Sequence, residues 1–246
     1  MFGSMIFGYS SVSSNFVYNK NISTSIQNYD MYADASANGW DTTSILNMTV
    51  TVTSTGIVGG TSTYALTTNA SGTFPVGSTL SLVIMSGGYI VGKGGNGANS
   101  SNNPSPGAPG LNAINATYAI SINNSGTIAG GGGGGGATYG SSGSQDGCGG
   151  GGGAGYSAGT GGSGIYNTAD NGSSGTLTTG GIGGNDAAGS LSDTGGNGGN
   201  LGVAGSAAND VSNPGYGSNG GSRGYYVVGN SLVTWIATGT LLGAQS

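Results

Sequence analysis

The chain has 246 residues, a formal net charge of −5 and only 4% charged side chains, against about a quarter in an ordinary soluble domain. Three basic residues (Lys20, Lys93, Arg223) offer no cationic stripe for a phosphate backbone, which excludes nucleic acid as partner. There is no His and no Glu, all eight carboxylates are Asp, and there is one Cys; the usual general base, the commonest metal ligand and any intrachain disulfide are excluded together.

In chain order, the opening Met1-Phe2-Gly3-Ser4-Met5-Ile6-Phe7 lacks the positive region and small-residue cleavage site of a secretory signal. Asn28 is a candidate N-cap for a short helix over Tyr29–Asn38, ended by Gly39 at C′, with Met31, Tyr32 and Ala35 on one face. Met48-Thr49-Val50-Thr51-Val52 alternates as a half-buried strand does. Tyr64–Leu66 and Leu80–Ile84 are further strand candidates, divided by turns at Gly59-Gly60 and Phe74-Pro75. The longest apolar run, Leu82 to Met85, is far below the roughly 20 residues of a membrane helix, so no membrane insertion is expected.

An internal echo follows. Leu80–Ile84 leads through Gly87-Gly88 to Tyr89-Ile90-Val91 and Gly92; Ala119–Ile122 leads through Asn123–Gly126 to Thr127-Ile128-Ala129 and Gly130. Both copies read as strand, turn, short strand, polyglycine. A Pro/Asn/Ser loop, Asn96 to Asn112, lies between them.

From Gly130 to Gly224 glycine dominates, and Gly196, Gly199, Gly202 and Gly205 recur every third residue. Three is the period of a polyproline-II-type helix, which has no internal hydrogen bonds, so its outward N–H and C=O groups need partners on neighbouring rods. A polyglycine-II bundle would replace a side-chain core with a hydrogen-bonded one. Tyr225–Val228, a Gly229-Asn230 turn and Leu232–Ile236 read as a closing β-hairpin with Trp235 buried. The expected fold is mainly β and irregular: a small N-terminal α+β or β domain (1–85), then a polyglycine-II bundle closed by that hairpin (86–246).

Glycine motifs that carry chemistry elsewhere fail here. Gly92-x-Gly94-Gly95-x-Gly97 has no βαβ unit around it, and no phosphate-binding P-loop is present. Gly195-Gly196-Asn197-Gly198-Gly199-Asn200 puts Asn where a calcium nonapeptide needs Asp, and no tandem copies follow. Asp186 and Asp193 as a glycosidase pair have nothing to raise a pKa, and Cys148 reads as a small packed thiol. No cofactor, metal or catalytic residue is expected.

The segments between glycine runs (Ala137–Asp146, Ile165–Thr179, Asn185–Thr194 and Val203–Asn213) hold this region's larger side chains. Loops on a rigid scaffold are where binding residues sit, so Tyr139, Asp146, Ile165, Tyr166, Asp170, Asp186, Leu191, Asp193, Asp210 and Asn213 are the candidate binding residues.

Tyr89–Gly97, Ile122–Gly136 and the ending Val228–Trp235 to Leu242-Gly243 resemble the tail-fibre tip adhesins of T-even-like bacteriophages, and glycine-rich receptor-recognition segments of related phage tail proteins. The first twenty-odd residues lack the Trp-rich opening of the T-even members. The resemblance implies a virion protein assembled in the host cytoplasm and fixed to the distal end of a trimeric tail-fibre protein, with Phe2, Phe7, Tyr9, Phe16 and Tyr18 as candidates for attachment. It also implies variable loops at the far tip that bind a host outer-membrane protein or surface polysaccharide. The alternatives are a structural or ice-binding polyglycine-II bundle, or a glycine-rich domain of another virion or cell-surface protein.

Overall fold

The computed structural model describes residues 15–140, 146–165, 170–186, 193–211 and 215–246. Phe2, Phe7, Tyr9, Tyr166, Leu191 and Asn213 lie outside the described residues. The chain winds as a three-sided solenoid, each turn laying one strand on each of three parallel sheets. The first turn is β1 (Phe16–Ile22), β2 (Ser25–Gln27) and β3 (Tyr29–Asp30); after helix α1 (Met31–Ala37), the second is β4 (Leu46–Val52), β5 (Ile57–Gly59) and β6 (Tyr64–Thr67). The third is β7 (Thr79–Ile84), β8 (Tyr89–Val91) and β9 (Asn112–Asn115), and the fourth is β10 (Ile120–Asn124), β11 (Thr127–Ala129) and β12 (Tyr225–Val228). The fifth is β13 (Val233–Ala237), β14 (Thr240–Leu242) and β15 (Ala244–Gln245). The sheets run β1-β4-β7-β10-β13, β2-β5-β8-β11-β14 and β3-β6-β9-β12-β15.

Alternation along the strands builds the core. In β4 the side chains of Leu46, Met48, Val50 and Val52 are buried while those between them are partly exposed. The parallel register stacks like on like: Val50 pairs with Leu82, Leu82 with Ile122, and Ile122 with Trp235. Burying each such aliphatic contributes about 1.5–3 kcal/mol. The internal echo is one turn stacked on the next, since Ile120 lies beside Leu80, and Ile128 beside Ile90.

Three expectations need correction. The helix is two residues shorter at its start, because the carboxylate of Asp30 caps it, accepting from the N–H groups of Tyr32 and Ala33. Asn28 sits at φ 47° and instead hydrogen-bonds Thr61. There is no C-terminal hairpin: β12 pairs in parallel with β9 and β15, while β13 pairs with β10 in another sheet. Gly229, at φ 80°, and the 3-10 turn Asn230–Leu232 form a solenoid corner, and Trp235 is half-buried with its indole N–H on Asn230 Oδ1 at 3.0 Å. Strands from residues 112–129 and 225–246 lie in the same sheets as strands before residue 85, so the sheets straddle the expected domain boundary.

Phe16 and Tyr18 pack against the core, and the Tyr18 and Tyr29 hydroxyls both donate to Asp34 Oδ2, at 2.8 and 2.7 Å. Burial, then the Asp34 hydrogen bond, pushes the Tyr18 phenol up to about 12 and that of Tyr29 beyond the usual tyrosine range. Folded-state values above the unfolded value of about 10 mean that the contribution is present below pH 10 and lost as pH climbs through 10 to 12. Melting temperature is therefore expected to fall steeply above pH 10, and Tyr29→Phe to flatten that fall; an unchanged fall in the variant would contradict the assignment.

The glycine-rich chain leaves the solenoid at one corner, between the second and third sheets. Residues 92–111 are inserted between β8 and β9, and residues 130–224 between β11 and β12. Among the described residues, 130–224 holds no strand longer than an isolated bridge. Hydrogen bonding there is periodic. The N–H groups of Gly131, Gly132 and Gly133 donate to the carbonyls of Leu111, Ala154 and Val203; those of Gly134, Gly135 and Gly136 repeat the cycle to Ala108, Gly151 and Ser206, all between 2.7 and 3.0 Å. The carbonyls of this run accept from three further runs: from Gly95 and Ala98, from Gly196, Gly199 and Gly202, and from Gly221 and Gly224. Run 130–137 is thus ringed by runs 92–98, 107–111, 149–155, 194–202, 203–208 and 218–224.

Outer runs, which lack neighbours on one side, use asparagine in place of a missing run. Asn197 and Asn200 Oδ1 accept from Gly183 and Gly180 N–H, at 2.9 and 3.0 Å, and Asn96 and Asn99 Oδ1 accept from Thr160 and Ser163 N–H. The three-residue spacing of each asparagine pair matches the period of the run it serves.

Candidate functional site

Strand direction fixes where the connections fall. Runs 92–98 and 130–137 continue straight out of β8 and β11, and runs 107–111 and 218–224 return into β9 and β12. Their outer ends therefore lie away from the solenoid. The connections fall into two groups. Segments 156–158, 177–179 and 201–202 are tight turns at the near end. The described residues of the other connections, 99–106, 138–140, 146–148, 164–165, 170–171, 185–186, 193, 209–211 and 215–217, gather at the far end. Isolated bridges tie the far group together: Ser101 to Tyr139, Gly147 to Ile165, Asn185 to Thr194 and Thr194 to Asn209.

Of the candidate binding residues that are described, Tyr139, Asp146, Ile165, Asp170, Asp186, Asp193 and Asp210 all lie at this far end. Their exposure divides them. Asp170 is exposed, while Tyr139, Asp146 and Ile165 are half-buried. Asp186, Asp193 and Asp210 are buried and serve the tip from beneath. Asp193 Oδ1 accepts from Val211 N–H at 2.7 Å, Asp210 Oδ2 accepts from Tyr139 N–H at 3.0 Å, and Asp186 N–H donates to the Asp193 carbonyl at 3.0 Å. A carboxylate accepting a backbone N–H makes a charge-assisted bond, roughly twice as strong as a neutral one. The expected segments also overran the tip: 172–176 is a glycine run, and 177–179 and 203 lie at the near end.

Cys148 is fully buried, and its thiol donates to the Asp193 carbonyl at 3.3 Å. Burial, with Asp186 adding to it, pushes the thiol up to about 11. The group is packing material for the tip. Among the described residues there is no cluster of three or more carboxylate, Cys or His groups placed to hold a metal, and no helix long and apolar enough to cross a membrane.

Sequence reading passed over two parts of the tip. Segment 99–106 belongs to the Pro/Asn/Ser loop, Asn96 to Asn112, outside the expected binding segments, yet Ser101 bridges Tyr139 and Ser100 Oγ donates to the Thr138 carbonyl at 2.8 Å. Tyr216 lies beyond the expected segments. Its ring meets that of Tyr139 at 5.4 Å between centroids, tilted by 56°, and it is 62% exposed. Its neighbours Pro214-Gly215 and Gly217 are the available signal, since a tyrosine between two glycines in a turn has little to bury against.

The protein-family model described as phage tail fibre adhesin Gp38 matches residues 17–246. No curated protein matches the chain. Among solved structures, the chain is similar to the gp37-gp38 adhesin tip complex of the bacteriophage S16 long tail fiber, with a TM-score of 0.55 and 21% identity over 93% of this chain and 82% of that one. At that identity the likeness carries the fold alone.

Proposed function

Since the chain belongs to the phage tail fibre adhesin Gp38 family, we propose that it acts by binding alone, holding a host-surface receptor on the cluster of turns at the outer end of its glycine runs. The single observation that carries this reading is the sorting of connections: tight turns near the solenoid, and, away from it, the described residues of the other connections, tied to one another by isolated bridges. Connection alone needs only the short turns, as 156–158 and 177–179 demonstrate.

The runs themselves are polyglycine-II helices in this reading. Support comes from the three-residue cycle of hydrogen bonds and from the ring of six runs around 130–137, the arrangement that a threefold rod without internal bonds requires. The solenoid is the base. A trimeric tail-fibre protein is the partner proposed for it, because the S16 neighbour is a gp37-gp38 complex. The proposed attachment aromatics Phe16 and Tyr18 lie on β1, the outermost strand of the first sheet. Assembly takes place in the host cytoplasm, and the product is a virion component at the fibre's distal tip. The receptor is a host outer-membrane protein or a surface polysaccharide.

Purified protein, incubated with host cells before phage carrying this chain is added, is expected to block adsorption in a saturable way. Adsorption unaffected at saturating protein would end the binding reading. Release of new reducing ends from host polysaccharide would replace it with a depolymerase.

A further inference from the structure

The formal charge of this protein is distributed with a bias that its composition hides. Asp30, Asp34 and Asp41 belong to the solenoid turns, and Lys20, Lys93 and Arg223 are balanced against them in number. The remaining carboxylates, Asp146, Asp170, Asp186, Asp193 and Asp210, all sit in the far-end segments, where the sequence places no Lys or Arg at all. The whole net charge of −5 is therefore carried by the tip.

Among the described residues of the outer end, the most exposed aromatic is Tyr216. Tyr216 is 62% exposed and leans on Tyr139, and Val211, whose N–H is held by Asp193, is 39% exposed. The backbone of Tyr139 is held by Asp210 and bridged to Ser101, so the pair stands on a fixed base. A tyrosine with two side-chain torsions, already propped by a second ring, gives large contact area at low entropic cost. Such residues are enriched among those that dominate binding energy. An aromatic face also attracts a cation within about 6 Å of its centroid, and segments whose formally charged side chains are all carboxylates strengthen that preference.

Resting on the adhesin reading, we propose that Tyr216, backed by Tyr139, is the anchor that sets receptor specificity, and that it receives a lysine or arginine side chain from a surface-exposed protein loop of the host. The same charge bias disfavours an anionic polysaccharide, whose phosphates or carboxylates would meet segments that carry formal negative charge and no Lys or Arg. The aromatic face supplies contact area and the carboxylates supply the selection of sign.

The test measures binding of the full-length protein to intact host cells. Tyr216→Ala is expected to lower binding roughly 30-fold, the loss of about 2 kcal/mol that marks an anchor residue. Tyr216→Phe, which keeps the ring face, is expected to stay within about threefold of the parent. Because the ring is mostly exposed, both variants should melt as the parent does. Independently of any variant, cells treated with sulfo-NHS-acetate and phenylglyoxal, which neutralise surface lysine and arginine, are expected to bind the parent protein at least tenfold less than untreated cells. Full binding to treated cells, or binding by Tyr216→Ala within twofold of the parent, would overturn the proposal. Parent protein that fails to bind untreated cells would sink the adhesin reading itself, and this assignment with it.

Discussion

Gly134→Val is expected to destroy the glycine bundle, with hydrogen-exchange protection lost across residues 130–224. A Cβ on Gly134 would lie 1.9 Å from the carbonyl oxygen of Asn96 and 2.4 Å from its carbon, and those atoms belong to a neighbouring backbone rather than to a flexible side chain. Run 92–98 would have to move, breaking the bonds that Gly95 and Ala98 donate to Gly132 and Gly135 at 2.9 Å. Displacing the central run also strands the bond from Gly134 N–H to the Ala108 carbonyl and the one its own carbonyl accepts from Gly221. Each buried polar group left without its partner costs about 1–3 kcal/mol, and overpacking adds a similar amount. Several such losses together reach the scale of a whole domain's stability, about 5–15 kcal/mol. Ser222→Val places the same β-branched side chain on the exposed side of run 218–224 and is expected to leave protection intact. Protection retained in Gly134→Val would mean that the runs are not knitted main chain to main chain.

The same physics decides what the sequence revealed. Period two was legible wherever a strand buries one face: Met48–Val52 and Leu80–Ile84 lie within strands, and the expected Ala119–Ile122 begins one residue later, at Ile120. Period three was legible in the glycines. What the residues do not display is which strands pair. Tyr225–Val228 and Leu232–Ile236, joined by Gly229-Asn230, have the local chemistry of a hairpin. Their inward residues instead find better partners one solenoid turn away, Val227 beside Ile114 and Trp235 beside Ile122. A corner and a hairpin turn use the same residue types, so tertiary stacking makes the choice. The echo of Leu80–Val91 in Ala119–Ala129 was the trace of that stacking, visible as a repeat before the geometry explained it.

At the tip, legibility followed residue type. Tyrosines and carboxylates stand out against glycine, and the described candidates do gather at one end. The sequence could not separate an aspartate that faces outward, Asp170, from those that serve as internal acceptors for Val211 and Tyr139 N–H. That distinction depends on which backbone groups the far-end segments leave without a strand partner, a property of the assembled bundle. The asparagine pairs were invisible for a related reason. Asn197 and Asn200 look like polar spacers until run 180–184 is seen to lack a neighbour on that side.

Far-end segments should govern host choice independently of the fold. Exchanging 99–106, 138–148, 164–171, 185–193 and 209–217 together for those of a family member that infects a different host removes Tyr139 and Tyr216 with the rest of the tip. With the anchor Tyr216 lost at about 2 kcal/mol, together with the ring that backs it, adsorption to the original host is expected to fall at least roughly 30-fold. With Asn99 retained in the exchange, the runs, their asparagine partners and the solenoid are untouched, so the melting transition should persist. Exchanging the near-end turns 156–158 and 177–179 is expected to leave adsorption unchanged. The measurement is phage adsorption to the original host for these two exchanges, read beside their melting curves. Loss with the far-end exchange and retention with the near-end exchange, both folded, is the predicted result; a folded far-end exchange that adsorbs as the parent does would contradict the placement of binding at the outer end of the glycine runs.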